Sequence, residues 1–176
     1  MKEKEVRRRI TETIDILENA DPEDSKYFTI LLNSLLSLIV LPTEELKKEK
    51  GKKLLSGKYS EFLKSVNITP LVFNPIKTFD GDEPKYEKKT VNSFFRKLRN
   101  GIAHQNIEFV DADDEALIVF YNVASSGSKE KAQKCNGKCE VNRNKVIDFK
   151  IKVNASQLKK LALYIAYKYV EGTENG

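Results

Sequence analysis

The sequence has only one histidine, His104, and this scarcity limits the chemistry open to the protein. A single histidine cannot form a paired-histidine metal site, and no arrangement of serine, histidine and aspartate indicates a catalytic triad. A glycine-rich phosphate loop is also missing, because the segment GKYS at 57–60 lacks the remaining glycines and the strand that such a loop requires. We therefore predict neither a bound metal nor a cofactor.

Long apolar runs are lacking as well. The longest one, at 27–41, is interrupted by polar side chains and is too short to cross a bilayer. The N-terminal residues, MKEKEVRRRITETIDILEN, alternate charged with apolar side chains and contain neither the continuous apolar core nor the small-residue cleavage site of a secretory signal. These absences predict a cytoplasmic protein without a membrane partner.

Cysteine occurs only twice, as Cys135 and Cys139 in the segment CNGKC. The pair could supply two of the four ligands of a zinc ion that bridges two chains, or it could form a small disulfide. In the cytoplasm thiols are normally reduced, so we expect two free thiols in a polar loop.

Positive charge is only mildly in excess, since 31 lysines and arginines against 26 acidic residues give a formal net charge of +5. Such an excess is compatible with nucleic-acid binding, but it is also common in other proteins. The run TEELKKEKGKK is either a solvated helix extension or a patch that contacts phosphates. In the second case the contacting side chains are those of Lys47, Lys48, Lys50, Lys52 and Lys53.

Apolar residues recur at helical spacing in four main parts of the chain. They predict a helix near the N-terminus and helices at 22–41, 85–104 and 154–170, with a shorter helix at 58–66. In the third of the main helices, the residues predicted to face the core are Val91, Phe94 or Phe95, Leu98 and Ile102.

Strand-forming residues are concentrated before the last of these helices. The segments at 106–110 and 116–123 are rich in β-branched and aromatic residues. In KVIDFKIKV, at 145–153, apolar side chains occupy every second position. The alternation predicts one face with Ile147, Phe149, Ile151 and Val153 and an opposite face with Asp148, Lys150 and Lys152.

Two segments show neither the helical nor the strand periodicity of apolar residues. Residues 67–84 contain three prolines and a glycine and are predicted to form an irregular connection. The polar, lysine-rich segment 124–144 is predicted to be a mobile loop. Taken together, the patterns predict a mainly α protein with one domain over 1–176. It would be a bundle of four main helices with a small antiparallel β insertion before the last helix.

The strongest functional signal is FFRKLRNGIAHQNIEF at 94–109, where four residues separate Arg99 from His104. This Arg-x4-His spacing, with the polar Asn100 after the arginine, resembles the motif of the HEPN family. The apolar segment FTILLNSLLSLIVLPTEEL before it, and the strands and helix after it, resemble a plasmid- and phage-defence-associated branch of that family. The resemblance covers residues 25–170.

HEPN proteins are small helical bundles, and many are RNA-cleaving toxins or defence proteins. The resemblance implies a metal-independent endoribonuclease with Arg99, Asn100 and His104 as its catalytic residues. The residue types suit this chemistry, because histidine can act as acid or base near neutral pH and arginine presents a fixed, charged fork of donors to phosphate. We expect RNA to contact further basic side chains, namely Arg96, Lys97, Lys47 and Lys48.

The spacing of the motif bears on how its site is built. Five residues of an ideal helix turn the chain by about 500°, so the two side chains differ in direction by about 140°. Either Gly101 loosens the helix between them, or two chains form the site together. HEPN proteins dimerise with both motifs in one cleft, and we favour this homodimer.

The resemblance also implies a possible antitoxin protein as a partner. HEPN proteins that pair with a nucleotidyltransferase antitoxin often carry tyrosine two residues after the histidine, whereas this chain has Asn106. The motif therefore gives no indication of tyrosine modification at that position.

Other interpretations of the motif stay open, one of them a helical dimer with a structural or regulatory role in which the motif only stabilises the interface. Histidine and arginine at a helix C-terminus can simply stabilise the last carbonyls and the helix dipole. The chain can also be a non-catalytic HEPN module that binds RNA, a nucleotide or a partner protein.

Overall fold

The computed structural model of the protein describes residues 3–22, 24, 26–35, 38–39, 55, 57–112, 115–126, 129–135, 137–143 and 145–174. The chain divides into two compact units. One consists of Met1–Gly57 with Asn154–Gly176, and the other of Lys58–Val153. Among the described residues, no helix is long and apolar enough to cross a membrane.

The elements are named here in chain order. The helices are α1 (Glu3–Asn19), α2 (Tyr27–Leu35), α3 (Tyr59–Val66), α4 (Val91–Ala103), α5 (Lys129–Lys134) and α6 (Ala155–Glu174). The strands are β1 (Val72–Phe73), β2 (Ile76–Asp80), β3 (Glu83–Tyr86), β4 (Ile107–Ala112), β5 (Glu115–Ser126), β6 (Glu140–Asn142) and β7 (Lys145–Val153).

The first unit contains α1, α2 and α6, and here helical periodicity predicted the structure well. The apolar stripe of α1 is buried, as expected from its spacing. Helix α6 begins with a reciprocal cap. The backbone N–H of Asn154 donates to Gln157 Oε1 at 3.0 Å, and the N–H of Gln157 donates to Asn154 Oδ1 at 2.9 Å.

The second unit is built on an antiparallel sheet, and the predicted fold class is therefore wrong. Strands run in the order β1-β7-β5-β4, with β6 also paired to β7, and β2 with β3 forms a separate two-stranded sheet. Helix accounts for about 50% and strand for about 27% of the structure. The protein is not a mainly α bundle with a small β insertion, because the sheet is the framework on which α4 packs.

The two aperiodic segments account for much of this error. The predicted irregular connection at 67–84 holds β1, β2 and the start of β3, and the predicted loop at 124–144 holds the end of β5, α5 and β6. These strands are short, and most side chains of β2 and β3 are at least partly exposed, so they show no alternation of apolar and polar residues. Pairing with distant strands defines them.

Helix α4 lies on the five-stranded sheet through an aromatic cluster. Its predicted core residues are buried, including both candidates, Phe94 and Phe95. The ring centroid of Phe94 is 5.1 Å from that of Phe149 on β7 and 5.1 Å from that of Phe62 on α3, in edge-to-face arrangements. Thr90 and Ser93 form a capping box at the start of α4. The motif helix is thus packed against the sheet and capped at its N-terminus.

The prediction that Asp148 and Phe149 lie on opposite faces of β7 is wrong, because β7 contains a bulge. Asn122 pairs with Phe149 and Val123 pairs with Ile147, which leaves Asp148 without a partner on β5. An extra residue in one strand turns its side chain toward the opposite face. Asp148 is fully buried as a result.

Gly101 is required where α4 crosses β5. A Cβ atom built on Gly101 would lie 2.6 Å from the backbone oxygen of Tyr121, and backbone cannot rotate away as a side chain can. We expect Gly101→Ala to lower the free energy of unfolding by about 1–3 kcal/mol, the usual cost of overpacking. Chemical denaturation monitored by circular dichroism measures this.

Gly57→Ala is the matched control for that change. A Cβ at Gly57 would meet only the hydroxyl of Tyr164, at an ordinary 3.9 Å. We expect this variant to unfold within about 0.5 kcal/mol of the natural protein. Equal stability of the two variants would show that α4 can shift on the sheet without cost.

Candidate functional site

The motif occupies the end of α4, where its histidine lies in a cap formed by backbone hydrogen bonds. His104 is the C-cap, and the N–H of the next residue, Gln105, donates to Ile102 O at 3.1 Å. The N–H of Asn106 donates to Gly101 O at 2.9 Å. This is a Schellman motif, with Gln105 in the left-handed region at φ 56°. It leaves the His104 side chain exposed, while Arg99 and Asn100 are half-buried.

The helix is continuous between Arg99 and His104. The structure assigns α4 as helical through Ala103, and the N–H of His104 donates to Asn100 O at 3.0 Å. The suggestion that Gly101 loosens the helix is therefore wrong. Gly101 instead allows close approach to β5. With helical geometry retained, the two side chains leave the helix about 140° apart.

Lys97 is not available to RNA, contrary to its predicted role. Its side chain is only 4% exposed, and Nζ lies 2.5 Å from Asp148 Oδ2 and 2.9 Å from Ile76 O. Asp148 also accepts from the N–H of Ile76 at 2.7 Å and from Asn122 Nδ2 at 2.7 Å. This buried network, formed by Lys97, Asp148, Asn122 and the Ile76 backbone, anchors the motif helix to the sheet.

Sequence reasoning missed Asp148 and Asn122 as members of this network. Each occupies a strand position flanked by apolar residues, which suggests nothing more than ordinary alternation. The one available signal was Lys97 itself, because it falls among the core residues of the α4 pattern. A lysine at such a position needs a buried acceptor.

The other predicted RNA contacts have different outcomes. The guanidinium of Arg96 is partly exposed and forms an ion pair with the carboxylate of Glu87, so part of its charge is already balanced. Lys47 and Lys48 lie outside the described residues. Their contact with RNA stays a prediction.

Comparison with known proteins assigns the family. The family described as HEPN pEK499 p136 matches residues 1–175, nearly the whole chain. This chain is a HEPN protein. No curated protein and no solved structure matches it. The family match agrees with the resemblance that the Arg-x4-His motif carries.

The two cysteines of this HEPN protein are free, but they do not lie in a polar loop as expected. Cys135 is buried in a small apolar cluster with Ile76 and Val146, and Cys139 packs against that cluster. Burial and a hydrogen bond with Cys135 raise the pKa of the Cys139 thiol to about 12. Both features make Cys139 a poor nucleophile at neutral pH, since the thiolate is the reactive form.

Proposed function

We propose that this HEPN protein is a metal-independent endoribonuclease whose site combines Arg99, Asn100 and His104. The observation that carries the proposal is the exposed His104 imidazole at the Schellman motif of α4, one helical turn after Asn100, in a chain of this family.

The residues suit transfer of the RNA phosphate to the neighbouring ribose oxygen. In this reaction the 2′-oxygen bonds to phosphorus, the bond from phosphorus to the 5′-oxygen breaks, and the products are a 2′,3′-cyclic phosphate and a 5′-hydroxyl. His104 takes the 2′-hydroxyl proton or supplies the proton to the leaving 5′-oxygen. The Arg99 guanidinium stabilises the charge that develops on the phosphate oxygens.

We further propose that two copies of the chain form the site. Because α4 is continuous, Arg99 and His104 of one chain point in different directions. A twofold axis next to the motif brings His104 of one protomer to Arg99 of the other. It also supplies a second histidine, so that acid and base need not be the same residue.

The proposed biological role is that of a toxin or phage-defence effector in the cytoplasm, restrained by an antitoxin protein. Expression in a bacterium is the direct test of this role. Growth arrest that is relieved by His104→Ala supports it, whereas equal growth with and without expression contradicts it.

The decisive assay of the chemistry uses purified protein, RNA and EDTA. We expect cleavage to continue at full rate in EDTA and to produce 2′,3′-cyclic phosphate ends. A matched oligonucleotide with 2′-deoxyribose throughout should stay intact, because it lacks the attacking oxygen. Cleavage of that oligonucleotide would contradict the mechanism, and tight RNA binding without cleavage would favour the non-catalytic module.

A further inference from the structure

One face of the five-stranded sheet carries a groove that the proposed reaction does not use. The groove has a volume of about 340 Å³ and crosses β4, β5, β7 and the β6–β7 hairpin. Its lining includes Glu108, Tyr121, Asn142, Arg143 and Lys145. Strands in a sheet are about 4.8 Å apart, so four strands give it a length of about 15 Å.

Strand register places this groove on the face opposite α4. Asn122 and Phe149 pair with each other, and their side chains lie on the side of the sheet that α4 covers. There Asn122 donates to Asp148, and the ring of Phe149 packs against that of Phe94. The neighbouring Tyr121 pairs with Lys150 and therefore points to the other face. Lys152, two residues after Lys150, lies on this face as well and is exposed.

Three cations of this face are available to a ligand, unlike Lys150, whose Nζ lies 2.8 Å from Glu140 Oε1. The side chains of Arg143, Lys145 and Lys152 are exposed, and none forms an ion pair with a carboxylate in the described part of the chain. The groove itself contains one carboxylate, that of Glu108. The surface thus has an excess of positive charge, which favours binding of a polyanion.

Tyr121 is tied to the motif through backbone contacts. Its N–H donates to Asn106 O at 3.1 Å, and its carbonyl lies against Gly101. Asn106 is two residues from His104, which limits their Cα separation to about 7.6 Å. Adding about 5 Å for a pair of neighbouring strands places the Tyr121 Cα within about 13 Å of the His104 Cα. A strand of RNA can span that distance.

We propose that this groove binds a single-stranded segment of the RNA substrate next to the cleaved bond. Tyr121 stacks on a base, while Arg143 and Lys145 contact phosphates. Single-stranded bases are accessible for stacking, whereas those in a duplex are stacked on one another. Glu108 then lies beside the base edge, where a carboxylate can accept a hydrogen bond from an amino group. This inference rests on the proposed ribonuclease function.

Binding of a probe that cannot be cleaved tests the groove separately from catalysis. The probe is a fluorescent single-stranded RNA of about 12 nucleotides with 2′-O-methyl groups, and affinity is measured by anisotropy over a range of salt concentrations. We expect Arg143→Gln with Lys145→Gln to weaken binding at least about tenfold. The slope of log affinity against log salt should fall by about 1.4, which corresponds to two phosphate contacts on a single strand.

Substitutions at Tyr121 separate stacking from other effects. We expect Tyr121→Ala to weaken binding about tenfold and Tyr121→Phe to bind like the natural protein, because phenylalanine keeps the aromatic face. The charge control is Lys64→Gln with Lys77→Gln. These two lysines are exposed on α3 and β2, outside the groove, and their loss should change affinity less than about twofold.

The outcomes distinguish the groove from the catalytic proposal. Groove variants that bind normally, or equal affinity for a duplex of the same length, would overturn this inference even if the protein cleaves RNA. Loss of binding in the groove variants supports RNA binding in the groove, whereas a natural protein that binds RNA there without cleaving it would contradict the ribonuclease function alone.

Discussion

We expect His104→Ala to lower the rate of RNA cleavage by about 10²–10⁴-fold, the usual contribution of one general acid or base. Because the imidazole is exposed at the end of α4, its loss should change the free energy of unfolding by less than about 0.5 kcal/mol. Single-turnover cleavage rates and denaturation curves measure the two effects.

Arg99→Lys tests the second member of the pair with little disturbance of the fold. Lysine keeps the charge but loses the planar fork of donors, so we expect at least a tenfold lower rate. The control is Gln105→Asn, since asparagine tolerates the left-handed backbone of that position and leaves the motif unchanged. A His104→Ala protein that cleaves at the natural rate would exclude this site.

Mixing two inactive variants tests whether the site spans two chains. In a dimer of one Arg99→Ala chain and one His104→Ala chain, one of the two composite sites keeps both natural side chains. Random exchange of equal amounts makes half of the dimers mixed, so we expect about a quarter of the natural activity to return. A mixture that exchanges subunits but stays inactive would contradict the shared site.

The second large effect concerns stability. We expect Lys97→Met to lower the free energy of unfolding by about 3–5 kcal/mol, because it leaves the Asp148 carboxylate buried without its positive partner. Asp148 is fully buried, so water cannot solvate its carboxylate once the ammonium group is gone. Chemical denaturation of the variant and the natural protein measures the difference.

A second substitution identifies the cause. In Lys97→Met with Asp148→Asn the buried negative charge is gone, and we expect the double variant to be more stable than Lys97→Met alone by about 1 kcal/mol or more. The control is Arg96→Met, which removes a partly exposed cation from the same helix and should cost about 1 kcal/mol or less. An equal loss of stability at the two positions would show that the buried ion pair contributes no more than the partly exposed one.

Local patterns predicted the helices and the position of the motif. The α4 stripe and the α3 helix both depend on neighbours within four residues, and both are present in the structure. The placement of Arg99 and His104 at a helix end follows from the same short-range rules. Family membership, which the motif indicated, is confirmed by the match over 1–175.

Only part of the sheet could be obtained in that way, because the predicted strands at 106–110, 116–123 and 145–153 correspond to β4, β5 and β7, whereas the other strands were missed. Strands β1, β2 and β6 are too short or too polar to show a period, and their existence depends on partners far away in the chain. A single extra residue at Asp148 reverses the face of its side chain, and nothing nearby in the sequence marks it. The same bulge brings Asp148 to the side of the sheet where it pairs with Lys97.

The sequence by itself therefore determined the helices and the identity of the motif residues, because helical hydrogen bonds and caps are local. Only the tertiary structure decided which lysines and arginines remain available for RNA. That choice depends on carboxylates and carbonyls brought together by non-local strand pairing, as when Asp148 meets Lys97 while Arg143 and Lys145 remain exposed.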